Sequence, residues 1–68
     1  MRVSARNQLA GTVTAIKEGA VEAQVTMDIG GKTLVSVVTM DAISSLGITV
    51  GSSVTALIKA DSVMLAVD

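Results

Sequence analysis

No side chain in this sequence can cross-link the fold or fill a large share of its core: Cys, His, Phe, Tyr and Trp are all absent from its 68 residues. A chain below roughly 70 to 80 residues rarely gains comfortable stability from one core, and small folds make up the shortfall with disulfides, a structural metal or self-association. Without Cys the first is impossible, and without Cys or His a zinc site lacks its usual ligands. Self-association remains. The apolar half of the composition consists of Ala, Val, Ile, Leu and Met, which build a thin core without the large areas that aromatic rings bury. Val, Ile and Thr together number 23 and Pro is absent, a balance that points to packed strands rather than disorder. The expected class is all-β.

The order of residues says where those strands run. Leu9 to Lys17 places Leu9, Val13 and Ile16 among polar neighbours and reads as a strand bent at Gly11. Glu18-Gly19 turns the chain. Val21, Ala23, Val25 and Met27 then alternate with Glu22, Gln24, Thr26 and Asp28 in strict period two, the mark of a strand with one wet face. Gly30-Gly31 supplies positive φ for a hairpin into Thr33 to Thr39. That third strand is apolar on both faces, which a small domain accommodates only if a second chain covers one of them. Asp41 to Leu46, with Thr39 or Asp41 as N-cap and Gly47 beyond the end, reads as one short helix. Val54 to Lys59 and Val63 to Val67 are two further strands. The expected architecture is a small five-stranded barrel like the oligonucleotide-binding fold, with one short helix between strands 3 and 4, as a single domain over residues 1–68.

The chemistry on offer is narrow. Six scattered carboxylates without His, Cys or Tyr give no general acid–base pair or activated nucleophile, so the expectation is not an enzyme, with no catalytic cofactor and no direct cation ligands. Asp28, Asp41 and Asp61 fall on turns or caps, where carboxylates ordinarily bind backbone. A net charge of −1 and the lack of aromatics argue against nucleic acid and against an anionic membrane surface. No targeting signal is evident in Met1 to Leu9, and the expected compartment is the cytoplasm. Three features stand out, each with two readings. Ser4-Ala5-Arg6-Asn7-Gln8 is either a solvated leading segment or a set of donors for an anion. Lys59 is either an edge cation or part of the same site. Thr39-Met40-Asp41 either caps the helix or offers its first N–H groups to a negative ligand. All three consist of donors that suit a small oxyanion better than a base, a sugar or a lipid.

Ser-Ala-Arg-Asn-Gln-Leu-Ala-Gly-Thr-Val at 4–13 and Glu-Gly-Ala-Val at 18–21 closely resemble the molbindins, the Mop-type molybdate-binding domains. Val-Thr-Met at 38–40, Ser-Leu-Gly-Ile at 45–48, Gly-Ser-Ser-Val-Thr-Ala-Leu-Ile-Lys-Ala at 51–60 and Ser-Val at 62–63 keep the family's order, so the likeness spans nearly the whole chain. The resemblance implies a homohexamer built from three dimers, with molybdate or tungstate held at subunit interfaces. It assigns the oxyanion to Ser4, Ala5, Arg6, Thr39, Lys59 and Ala60, with Asn7, Gly19, Ala20 and Val21 as lesser candidates. Two positions depart from the family. Ala42 stands where many relatives have Ser, and Asp61 stands where they have a small hydroxyl residue; Ser62 can replace the second, or Asp61 can turn outward as a cap.

Molybdate at neutral pH is a tetrahedral dianion with no proton to donate, so its pocket should hold donors and few acceptors. Because the Ser4–Arg6 motif and Lys59 lie at opposite ends of the sequence, a closed oligomer is expected to bring one subunit's motif against another's Lys59. The function this implies is storage or buffering of molybdate. The alternative is a regulatory or assembly module that senses the oxyanion and associates with a larger partner, such as a transporter ATPase.

Overall fold

The computed structural model describes residues 1–68, and its strands are β1 (Asn7–Glu18), β2 (Glu22–Asp28), β3 (Thr33–Thr39) and β4 (Ser53–Ile58). A short helix α1 (Met40–Leu46) joins β3 to the segment before β4, and one 3-10 turn (Ala60–Ser62) follows β4. All neighbours are antiparallel and the sheet runs β3-β2-β1-β4. The sheet is therefore a half-barrel with β3 and β4 as its free edges.

β1 is long enough to serve two partners. Its first half pairs with β4 from Asn7↔Ile58 to Thr12↔Ser53, and its second half pairs with β2 from Thr12↔Asp28 to Glu18↔Ala23. Between Val13↔Met27 and Ala15↔Thr26 the register slips by one residue, so Thr14 is a β-bulge; its hydroxyl donates to the Thr26 carbonyl at 3.3 Å. A bulge resets the alternation. That is why the inward residues Val13 and Ile16 are three apart rather than two. Gly11 has a different duty from the bend expected of it: a Cβ there would collide with the Asp28 carbonyl oxygen and come within 2.8 Å of the Ile29 and Met27 side chains. The chain crosses the end of β2 too closely for any side chain.

The core is as thin as the composition implies. Only Val13, Ala23, Val25, Met27 and Ile43 are buried. Three of them are the inward residues of β2, whose alternation holds as read, although the strand starts at Glu22 and leaves Val21 71% exposed. The hairpin also forms as read: Asp28↔Thr33 closes a loop in which Gly30 and Gly31 take φ of 74° and 90°, and the Asp28 carboxylate accepts from the Gly31 N–H at 3.0 Å. α1 starts at Met40 with Thr39 as N-cap, its hydroxyl accepting from the Ala42 N–H at 3.1 Å. It ends at Gly47 in the left-handed conformation, φ 64°, and presses Ile43 into the core.

The expected fifth strand is absent from the single chain. Residues 63–68 make no ladder, and Met64, Leu65 and Val67 are 93%, 93% and 97% exposed. A strand exists only where another strand accepts its N–H and C=O groups, and the 3-10 turn at Ala60–Ser62 directs the tail off the sheet. The apolar pattern at 63–67 was legible, but its partner is not in this chain. Two other faces are left uncovered in the same way. Val35 and Val37 project from the outer side of β3. A groove of about 500 Å³ lies open between the free edges, lined by Leu34 and Val38 of β3 and by Val54, Ala56 and Ile58 of β4.

Candidate functional site

The β1–β4 register decides what meets at one end of the half-barrel. Because Asn7 lies opposite Ile58, the residues before Asn7 and after Ile58 leave the sheet side by side. Two side chains fix that exit. Asn7 Nδ2 donates to the Ile58 carbonyl at 3.1 Å, and Gln8 Nε2 donates to the Ala5 carbonyl at 2.9 Å. On the other side, the Ser62 N–H donates to the Lys59 carbonyl at 2.9 Å and folds the chain into its 3-10 turn.

Between these two exits is an open pocket of about 410 Å³, lined by Ser4, Ala5, Arg6, Lys59, Ala60 and Asp61. Five of the six residues that the sequence put forward are thus together in one chain. The Ser4–Arg6 motif and Lys59 do not need a closed oligomer to bring them together: residues more than 50 positions apart meet within one chain because β1 and β4 are neighbours. The pocket offers two cations and a hydroxyl. The main-chain N–H groups of Ala5, Arg6 and Ala60 add donors that no backbone acceptor in the chain satisfies. Such a rim suits a small anion, and its side chains are solvated rather than buried.

The remaining candidates lie elsewhere. Thr39 is opposite Glu22 on β2, and the Met40 N–H donates to the Val21 carbonyl at 2.7 Å. Gly19 donates to the Glu22 carbonyl at 2.9 Å. Gly19, Ala20, Val21 and Thr39 therefore form a second group at the far end of β1, and the Thr39 hydroxyl there is engaged as the helix cap. Ser62 lies beside the pocket without lining it.

The structure corrects the reading of Asp61 as an outward-turned cap whose place in the site Ser62 could take. Asp61 caps nothing, since the 3-10 turn has no side-chain cap. The residue lines the pocket, and its carboxylate stands 3.5 Å from Lys59 Nζ, itself a residue of the lining. The signal was its position two residues after Lys59 on an irregular segment, where both side chains can turn to the same side.

A thin antiparallel half-barrel that gathers cationic and N–H donors where its first and last strands leave the sheet is a small β-domain with an anion-type pocket. The TOBE domain family matches residues 3–65. Molybdenum-pterin-binding protein 3 of Clostridium pasteurianum is 46% identical over 66 residues, covering 96% of this chain and 97% of that protein. A molybdate-binding protein from Sporomusa ovata has a solved structure that superposes with a TM-score of 0.93 at 39% identity, over 97% of this chain and 98% of that one. The cytoplasmic molybdate-binding protein ModG, solved with molybdate bound, superposes with a TM-score of 0.95 at 48% identity, over all of this chain and 49% of ModG. The chain belongs to the TOBE domain family, and within it to the Mop-type molybdate-binding domains.

Proposed function

We propose that this chain is a single Mop domain that binds molybdate or tungstate without catalysing a reaction, and that it stores or buffers the oxyanion in the cytoplasm. The observation that carries this reading is the convergence of Ser4, Ala5 and Arg6 with Lys59 and Ala60 on one pocket. Arg6 and Lys59 offset the charge of the dianion, while the Ser4 hydroxyl and the free N–H groups of Ala5, Arg6 and Ala60 direct hydrogen bonds at its oxygens. Charge-assisted bonds of this kind contribute about 1.5 to 3 kcal/mol each where water is excluded. No helix is long and apolar enough to cross a membrane.

In one chain the pocket is open to water, and its second group of donors lies at the other end of β1. A homohexamer built from three dimers reconciles the two: the Gly19–Val21 turn and Thr39 of a neighbouring copy close over the pocket, with Asn7 and Ser62 at its border. The same association supplies the fifth strand. Val63–Val67 of one copy enters the groove between β3 and β4 of another, covering apolar side chains that are wet on both partners. Native mass spectrometry with and without sodium molybdate tests this reading. The expected result is a hexamer that gains mass in molybdate steps; a monomer, or a hexamer that emerges from molybdate unchanged, overturns it. Co-purification with a stoichiometric larger partner would favour the regulatory module instead.

A further inference from the structure

Asp61 is the single acidic residue lining the pocket, and nothing in the fold requires it there. It makes no cap and no hydrogen bond to the main chain; its one partner is Lys59 Nζ at 3.5 Å. That separation is longer than an ordinary N–H···O bond, and the two side chains are 81% and 72% exposed. An ion pair this solvated is weak, so it opens readily when an anion arrives. It still has two consequences for what the pocket takes. The net charge of the lining falls from two positive to one, and a site otherwise built of donors gains a charged acceptor.

We propose that Asp61 sets the selectivity of this pocket: its carboxylate competes with the incoming oxyanion for Lys59, and it accepts a hydrogen bond from the O–H of a singly protonated tetrahedral oxyanion. This deepens the reading of the pocket given above and rests on it. A fully deprotonated dianion, such as molybdate, meets only repulsion from Asp61. Hydrogen phosphate has the same charge but carries an O–H that needs an acceptor, and Asp61 is the side chain in the pocket able to receive it with charge assistance. The pocket therefore holds molybdate less tightly, and separates it from hydrogen phosphate less sharply, than the same pocket without the carboxylate. For a buffering role, weaker retention favours release.

The test is calorimetric titration of the full chain and its Asp61→Asn and Asp61→Ala variants with sodium molybdate and, separately, inorganic phosphate. A pH of about 8 gives both anions two charges and leaves phosphate one proton. Asp61→Asn removes the charge, and Asp61→Ala removes the acceptor as well. The expected result is a gain in molybdate affinity of roughly three- to fivefold in both variants. Phosphate should gain less in Asp61→Ala, so that the ratio of molybdate to phosphate affinity rises by about threefold or more. Molybdate affinities equal to those of the unmodified chain, or the same gain for both anions, overturn the proposal while leaving molybdate binding intact. Absence of molybdate uptake by all three proteins overturns the proposal and the underlying function together; uptake by the variants alone supports the competitor role.

Discussion

Replacing Gly11 with Ala tests how the half-barrel is put together. Gly11 sits opposite Val54 on β4, while its other side passes over the end of β2. The added methyl would meet the Asp28 carbonyl oxygen together with the Ile29 and Met27 side chains, both at 2.8 Å. Met27 can swing aside, but a main-chain carbonyl cannot move without parting β1 from β2. Overpacking costs about 1 to 3 kcal/mol, and a backbone obstacle puts this case in the upper half, about 2 to 3 kcal/mol. With about 4 to 8 °C lost per kcal/mol in a domain of this size, Tm should fall by roughly 8 to 24 °C. Gly30→Ala is the control: it has positive φ but nothing within 4 Å of the new methyl, so it pays only the conformational cost, on the order of 1 kcal/mol. Circular dichroism melts at one fixed protein concentration, needed because association contributes to apparent stability, give both numbers. If Gly11→Ala melts within about 3 °C of the unmodified chain, or above Gly30→Ala, the close crossing of β1 over β2 is wrong.

Lys59→Ala should weaken molybdate uptake by roughly tenfold or more, the loss of one charge-assisted bond, with the oligomer mass unchanged; unchanged affinity by calorimetry removes Lys59 from the site. Thr39→Ala deletes the hydroxyl that accepts from the Ala42 N–H and should cost about 1 kcal/mol of stability, read as a fall in melting temperature that Thr39→Ser largely restores. The double variant Met64→Asp with Leu65→Asp changes side chains that are 93% exposed in one chain, so a tail without a partner predicts no effect. The proposed strand exchange instead predicts loss of the oligomer by native mass spectrometry while the spectrum of the monomer stays β-rich.

The parts of the fold visible in the sequence are those fixed by neighbours along the chain. β2 announces itself because Ala23, Val25 and Met27 alternate with polar residues within one strand, and the hairpin does so because Gly30-Gly31 can take positive φ. α1 is legible from Thr39 at one end and Gly47 at the other. What local pattern could not show is pairing. The bulge at Thr14 is a property of the β1–β2 register, and without that register the spacing of Val13 and Ile16 only blurs the strand. Val63–Val67 has a strand's composition and no partner, so composition overstated it. The same limit governed the site: Ser4, Arg6 and Lys59 were nameable by donor chemistry, but their meeting in one chain depends on Asn7↔Ile58. Asp61 reads as a cap in the sequence because a carboxylate on a turn ordinarily binds backbone, and only the 3-10 turn shows that it caps nothing and lies on the pocket lining.

The thin core and the divided site have one physical origin. The four strands of one chain do not close into a barrel and bury only a thin core free of aromatic residues, so β3 and β4 remain free edges and their apolar side chains line an open groove. A chain left open in this way gains stability by association. The donors lie at the two ends of its longest strand, where a neighbour can reach them. In the proposed assembly anion binding and association strengthen each other, because an oxyanion held between two copies would add contacts that the separated chains lack. Molybdate should therefore raise the melting temperature of the unmodified chain, and should do so much less in the Met64→Asp, Leu65→Asp variant, whose pocket residues are all present. Equal stabilisation of the two proteins by molybdate would show that one chain alone completes the site.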